Sequence, residues 1–189
     1  MDQFREWEQL KFYEPRNVLV ELRKIEKTHD LNKFPYDVAT LRTRKLRSYG
    51  ESRQCAIFCY GIGEIFGLNL KYAQYESQDY DYVAVYEKDD YLNYVPIQMK
   101  ELVPDKINPK ANLQTEINKL QKYVDSNNLC VSIYLNKEVR IEFSNLEIPK
   151  LNIKELWLFG SKSPDQDDWW LIGNLLETTN FYEFKYPGN

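Results

Sequence analysis

The chain has 189 residues, of which 43% are hydrophobic and 29% are charged, and its formal net charge is -4. This length and composition predict one globular domain with a sizeable core, and they exclude a fibrous or linker-dominated protein. The negative balance argues against a protein that coats nucleic acid through its overall charge, although it permits a local basic surface.

Helical spacing of apolar residues dominates the first third of the chain. The pattern over 4–27 predicts helix on both sides of Pro15, where the chain starts a new element or breaks one. A second, buried helix is predicted over 52–66, with Ser52 as its N-cap and Gly67 at its end.

The three cysteines of the chain do not indicate a disulfide framework. Cys55 and Cys59 share one face of the predicted helix, a spacing that could attract a metal ion. The chain has a single histidine, His29, and no second cysteine pair, so a closed zinc site lacks ligands. We therefore expect Cys55 and Cys59 to be core thiols.

Membrane and export signals are weak. The longest apolar run, 56–70, is too short to span a bilayer. The first ten residues lack the charged-then-apolar pattern of a signal peptide. We therefore expect a soluble, cytoplasmic protein with no membrane contact.

Strands dominate the rest of the chain, with one further helix among them. Apolar alternation and short apolar runs predict strands near 69–75, 81–87, 94–102, 129–136, 139–143 and 155–160. A helix is predicted over about 113–126, entered through Asn112 as its cap. The tail predicts a short helix or strand at WWLIGNLL and then an edge strand at FYEFKY.

This order of elements predicts an α/β layered domain in which helices flank a central mixed β-sheet. We expect a single domain over 1–189. Its core is predicted at about 52–136, with an N-terminal helical segment at 1–50 and a C-terminal β-rich extension at 137–189.

The strongest functional signal lies between Gln78 and Leu102. Asp81 begins one predicted strand, and Gln98 and Lys100 lie two residues apart on the next, so that Gln98 and Lys100 share one face. A carboxylate, an amide oxygen and an ammonium on neighbouring strands suit metal-assisted hydrolysis of a phosphodiester. The same residues also suit an ordinary polar sheet face.

The order of a helix with Glu64, a strand with Asp81, a strand with Gln98-Met99-Lys100 and a further helix resembles the PD-(D/E)xK nuclease superfamily. The resemblance covers about 52–136 and implies a restriction-endonuclease-like fold, a DNA substrate and Mg²⁺ or Mn²⁺ as cofactor. It makes Asp81 the first metal-binding acid and places Gln98 at the second acid position. It gives Lys100 the role of the lysine that orients the attacking water or stabilises developing charge.

Glu64 matches the acid that some members of the superfamily supply from the first helix, so the implied metal ligands are Asp81, Gln98 and Glu64. The chain departs from the motif at Tyr80, where proline is expected, and at Gln98, whose amide adds no negative charge. Asp79 shares a face with Asp81 in an extended strand and could restore that charge. Both retained and lost catalysis are compatible with the glutamine.

A basic segment from Thr40 to Arg53 opposes the acidic balance of the chain. It could grip a phosphate backbone, or it could be a solvated segment anchored to the core by its leucines. The candidate nucleic-acid-binding residues are Arg42, Arg44, Lys45, Arg47 and Arg53.

The resemblance therefore implies a DNA endonuclease that depends on Mg²⁺ or Mn²⁺, and a possible homodimer, because many enzymes of this class cut duplexes as dimers. A catalytically inactive domain of the same fold, serving as a nucleic-acid or protein interaction module, is the alternative. A small acidic partner protein that acts as an inhibitor is a third, more remote interpretation.

Overall fold

The computed structural model describes residues 3–138, 140–142 and 145–188, and within them the chain has helices and seven strands. The α-helices are α1 (Gln3–Glu8), α2 (Pro15–Thr28), α3 (Tyr36–Ala39), α4 (Arg47–Phe66) and α5 (Leu113–Asn118), and two 3₁₀ helices cover Leu31–Lys33 and Lys119–Lys122. The strands are β1 (Lys71–Gln74), β2 (Tyr82–Lys88), β3 (Tyr91–Leu102), β4 (Ser126–Leu135), β5 (Ile153–Ser161), β6 (Asp168–Gly173) and β7 (Asn180–Lys185).

The strands form a mixed sheet whose order, β1-β2-β3-β4-β5-β6-β7, follows the chain. β1 and β2 are antiparallel, β3, β4 and β5 run parallel to one another, and β5, β6 and β7 alternate in direction. A parallel neighbour requires a crossover connection, which α5 supplies between β3 and β4. The predicted α/β class with a mixed sheet is confirmed.

The chain forms two compact units. The first comprises the described residues of 1–75, 82–94 and 186–189, and the second those of 76–81 and 95–185. In the first unit, Leu19 of α2 is fully buried and its carbonyl oxygen accepts a 2.9 Å hydrogen bond from the Tyr186 hydroxyl. In the second unit, Val131, Ile133 and Leu158 have no exposed surface. Such continuous apolar runs are typical of strands that are covered on both faces.

Helix α4 begins earlier than the sequence predicts. It starts at Arg47, whose N–H donates to the Thr43 carbonyl oxygen at 3.0 Å, so the prediction of Ser52 as N-cap is wrong. The first turn, 47–49, is exposed, and the first buried residue of the helix is Cys55. The apolar periodicity in the sequence therefore begins well after the helix does. The predicted end is confirmed, because Gly67 takes the left-handed conformation (φ 65°) that favours glycine after a helix.

Cys55 and Cys59 are buried free thiols on α4, with their Sγ atoms 3.9 Å apart, as expected for core residues. Although α4 is the longest helix, no helix among the described residues is long and apolar enough to cross a bilayer.

The second unit departs from the predicted elements in two places. The predicted helix over 113–126 is shorter: α5 ends at Asn118, a 3₁₀ turn reaches Lys122, and β4 begins at Ser126. Its predicted cap is confirmed, since Asn112 Oδ1 accepts from the Thr115 N–H at 3.2 Å. The predicted strand over 139–143 is wrong for 140–142, which lie outside any strand, whereas 139 and 143 lie outside the described residues.

The aromatic tail forms strands and no helix in the described part of the chain. β6 holds the Trp169-Trp170 pair, and β7 is the edge strand, as predicted. Trp169 is fully buried and stacks on Phe159 and Phe184, with ring centroids 6.2 and 6.5 Å apart. The size of these rings, together with β pairing, explains why the segment is extended.

Candidate active site

The start of β2 and the middle of β3 bring two predicted site residues together. The backbone N–H of Asp81 donates to the Ile97 carbonyl oxygen at 3.2 Å, which aligns the two segments. The Gln98 side-chain amide then donates from Nε2 to Asp81 Oδ2. Asp81 and Gln98 are 17 positions apart in sequence, so only the strand pairing makes this contact.

The Gln98 side chain is hydrogen-bonded at both its Nε2 and its Oε1 atom. Its side chain is buried at 6% exposure in a strand that is otherwise largely apolar. Besides the carboxylate of Asp81, its Nε2 reaches the Met99 carbonyl oxygen at 3.0 Å, and its Oε1 accepts from the Tyr123 hydroxyl at 3.3 Å. A buried amide with donor and acceptor both satisfied has a defined orientation.

Tyr123 is a site residue that the sequence predicted only as part of an apolar stripe. It is 2% exposed and follows directly after the 3₁₀ turn, with its hydroxyl directed at Gln98. Burial raises the pKa of Tyr123 to about 12, and the carboxylates of Asp81 and Asp79 add to this shift. The phenol is therefore neutral at physiological pH and remains a hydrogen-bond donor.

Asp79 is the second carboxylate of this cluster. Its Oδ2 accepts a 2.9 Å hydrogen bond from the hydroxyl of Ser126, the first residue of β4. Its charge acts on Tyr123 together with that of Asp81. We call Asp79, Asp81, Gln98, Tyr123 and Ser126 the acidic cluster.

Lys100 lies on the same face of β3 as Gln98. Gln98 is paired with Val131 and Lys100 with Ile133 on β4, and alternating residues of one strand share a face. Lys100 is half-buried. The predicted relation of Gln98 and Lys100 on one face of the sheet is thus present in the structure.

Glu64, the third proposed metal ligand, is on α4. It is exposed in the last turn of α4 and belongs to the first unit, whereas Asp81, Gln98 and Lys100 belong to the second. The Tyr60 hydroxyl is hydrogen-bonded to Glu64, and burial, followed by this carboxylate, raises the pKa of Tyr60.

Arg53 and Arg47 of the predicted nucleic-acid-binding set form ion pairs within the first unit. Arg53, whose side chain is only 14% exposed, lies 3.4 Å from Glu26 of α2. Arg47 pairs with Glu51 one turn along α4, at 2.8 Å. The Arg53 pair is a packing contact, because its guanidinium is largely removed from solvent.

The other three basic residues precede α4. Arg44 and Lys45 are exposed, and Arg42 is half-buried. Exposed cations can reach a phosphate backbone without first breaking internal contacts. Arg44 and Lys45 are therefore the best-placed members of the predicted set.

The carboxylates of the acidic cluster are of the ligand type that a hard divalent cation takes. Mg²⁺ takes oxygen ligands, keeps several waters and needs only one or two carboxylates from the protein. Asp79 and Asp81 offer carboxylate oxygens of this kind, whereas Gln98 turns its Nε2 towards Asp81 and its Oε1 towards the Tyr123 hydroxyl. Among the described residues, no group of three or more His, Cys, Asp or Glu side chains is placed to hold a metal ion.

Comparisons with known proteins returned no match: no protein-family model, no curated protein and no solved structure was significantly similar to the chain.

Proposed function

We propose that this protein is a metal-dependent nuclease that hydrolyses DNA phosphodiester bonds. The observation that supports this most is the contact between Asp81 and Gln98, the residues at the two acid positions of the motif, on the strand face that also carries Lys100. The element order around them, with α4 before β1 and α5 between the parallel strands β3 and β4, agrees with a restriction-endonuclease-like arrangement.

In this proposal Asp81 is the principal ligand of Mg²⁺ or Mn²⁺, and Asp79 provides the second negative charge that Gln98 lacks. The cation, when bound, polarises the phosphate and lowers the pKa of a water molecule. Lys100 stabilises the charge that develops on the phosphoryl oxygens, a task suited to a compact ammonium. Glu64 stays a proposed ligand on the strength of the resemblance alone.

Gln98 can serve the cation only through its Oε1 atom, whereas its Nε2 faces Asp81 in this structure. Exchange of the two amide atoms by rotation would turn Oε1 towards Asp81 and would break the hydrogen bond from Nε2 to the Met99 carbonyl oxygen. Tyr123 can accommodate both orientations, because a hydroxyl donates to an oxygen and accepts from an N–H. Tyr123 is therefore proposed as the residue that positions the Gln98 amide.

DNA is the proposed partner. Arg44 and Lys45 are the proposed phosphate contacts, since both are exposed in an otherwise acidic chain. A homodimer would allow both strands of a duplex to be cut, and sedimentation velocity on the protein with and without DNA tests that part of the proposal.

One observation favours the alternative, a domain of this fold that has lost catalysis and acts as an interaction module. The Gln98 amide donates to Asp81 and so stabilises its carboxylate without any cation. An amide that replaces a metal in this way would keep the fold intact after catalysis was lost.

A cleavage assay separates the two proposals. The protein is incubated with Mg²⁺ or Mn²⁺ and with supercoiled, linear, branched and single-stranded DNA. We expect metal-dependent cleavage that Asp81→Ala abolishes and Lys100→Ala lowers by about 100-fold or more. Lys154→Ala, at an exposed lysine of β5, is the matched control and should cleave normally.

The melting temperatures of these variants show whether the loss is catalytic. If Asp81→Ala and Lys100→Ala fold as stably as the control, the loss belongs to the chemistry. If no substrate is cut and calorimetry detects no binding of Mg²⁺ or Mn²⁺, the nuclease proposal is abandoned in favour of the interaction module.

A further inference from the structure

A cavity of about 400 Å³ is lined by segments that follow the last residues of β3 and β4. Its walls come from the loop that leads into α5 and from the segment after β4. Leu102, which ends β3, is four residues beyond Gln98, which is about 13 Å along a strand. All of the described lining residues belong to the second unit.

Every charged side chain among the described residues that line this cavity is basic. The three are Lys110, Lys137 and Arg140. The chain as a whole carries a net charge of -4, so three cations around one space stand out. Asp105 and Glu142, which are outside the lining, balance part of this charge at Lys137 and Arg140.

Lys137 forms the rigid wall of the cavity. Its side chain is 12% exposed, and its ammonium donates to the carbonyl oxygens of Pro109 and Ala111 at 3.1 and 3.0 Å. It also pairs with Asp105 at 2.7 Å. These three contacts use all three N–H groups of the ammonium, so Lys137 shapes the loop and is not available to a ligand.

Lys110 and Arg140 have N–H groups that can donate hydrogen bonds to a ligand. The Lys110 side chain is exposed and forms no ion pair among the described residues. Arg140 is paired with Glu142 only at 3.6 Å, through Nε, with its side chain 90% exposed. Exposed pairs of this kind are weak. The outer N–H groups of the guanidinium therefore remain able to bind a phosphate in the two-pronged manner that arginine favours.

The size and the apolar part of the lining define the ligand further. The volume lies within the range of sites for small organic molecules and is much larger than one phosphate ion requires. Pro109, Leu113 and Ile141 add apolar surface beside the cations. A ligand that carries one phosphate group and a sugar or ring system would contact both parts.

We propose that this cavity binds a phosphate monoester of nucleotide size, with Lys110 and Arg140 contacting the phosphate. The phosphate can come from a free mononucleotide or from the 5′-phosphorylated end of a nucleic-acid strand, since both present the same group. The proposal does not depend on the nuclease function, because none of the residues that carry it belongs to the acidic cluster.

Calorimetric titration with AMP, in the presence of EDTA, tests the proposal while keeping divalent cations out of the acidic cluster. We expect saturable binding of AMP and none of adenosine, which lacks the phosphate. Lys110→Gln combined with Arg140→Gln should weaken AMP binding at least about tenfold, because two charge-assisted contacts are removed. Lys150→Gln combined with Lys154→Gln removes two exposed lysines outside the lining and should bind AMP like the original protein.

A second titration identifies the source of the phosphate. A short oligothymidylate with a 5′-phosphate is compared with the same strand bearing a 5′-hydroxyl. A preference for the phosphorylated strand that disappears in the Lys110→Gln/Arg140→Gln variant assigns the cavity to strand ends, and AMP binding without this preference assigns it to free nucleotides. Absence of saturable binding in both titrations, or equal binding by a cavity variant with an unchanged melting temperature, would overturn the proposal.

Discussion

The acidic cluster beside the middle of β3 and the cavity beyond the ends of β3 and β4 carry opposite charges, and their charged side chains differ in burial and bonding. In the acidic cluster, hydrogen bonds join Asp79 to Ser126 and join Gln98 to Asp81 and Tyr123. Gln98 and Tyr123 are buried, and the other three residues are half-buried. At the cavity, Lys110 and Arg140 are exposed and only loosely engaged.

The difference shows where a bound ion would have the larger effect. A cation at the acidic cluster must reorganise hydrogen bonds that already exist, so binding is coupled to the geometry of Gln98. An anion at the cavity would meet exposed cations and would compete only with water and with the loose Arg140–Glu142 pair. We therefore expect substitutions in the cluster to change stability and metal response together, and substitutions at the cavity wall to act mainly on local stability.

Of the substitutions that test this difference between the two sites, Gln98→Glu should have the largest effect on stability. It places a second carboxylate against Asp81 at a site that is 6% exposed, so we expect the free energy of unfolding to fall by about 3 kcal/mol without metal. Mg²⁺ should then raise the melting temperature more in this variant than in the original protein, because a cation relieves the repulsion.

Gln121→Glu provides the charge-matched control, since Gln121 is exposed and outside the cluster. The measurement is a thermal melt with and without Mg²⁺ in excess over the protein, because a ligand that binds only the folded state raises the melting temperature. An equal metal response in Gln98→Glu and the control would show that no cation binds beside Asp81.

Lys137→Met should destabilise the cavity end by about 2 kcal/mol. The change keeps the length of the side chain but leaves two backbone carbonyl oxygens and Asp105 without their donor. Urea unfolding of this variant is compared with Lys150→Met, an exposed position where we expect less than about 0.5 kcal/mol. Equal values for the two variants would mean that Lys137 does not hold the loop.

Tyr123→Phe should have the smallest effect on stability, about 1 kcal/mol, because it removes one hydrogen bond to the buried Gln98 Oε1. If Gln98 binds the cation, the same change should weaken Mg²⁺ binding about tenfold or more, as for other residues that orient a ligand. Tyr134→Phe removes a similar hydroxyl, bonded to Asn136 at 3.4 Å, and serves as the control.

The pH dependence gives an independent check on Tyr123. Its pKa is raised in the folded protein to about 12 from the ordinary value of 10.0, so the unfolded chain loses this proton first. The contribution of the Tyr123 phenol to the free energy of unfolding is fully present below pH 10 and is lost as pH rises through about 12. Tyr123→Phe should therefore make the fall of stability over this interval shallower, and an unchanged slope would contradict the assigned burial.

Local pattern was sufficient for much of the fold and for part of the site. Alternation along β3 placed Gln98 and Lys100 on one face, and the left-handed Gly67 ended α4 where predicted. The start of α4 and the short α5 were missed. The exposed first turn of α4 has no apolar periodicity that could mark the start of the helix. The 3₁₀ turn after Asn118 has no sequence pattern that distinguishes it from a continued α-helix.

The sequence by itself determined which side chains share a strand face or a helix end, because those relations depend on neighbours a few residues away. The tertiary structure alone decided that Tyr123 and Ser126 join Asp79 and Asp81, since that depends on the connection through α5 to β4. The cavity between Lys110 and Arg140 was likewise decided by two loops that meet only when β3 and β4 pair. Such long-range contacts reflect the packing of the whole unit, which no local pattern encodes.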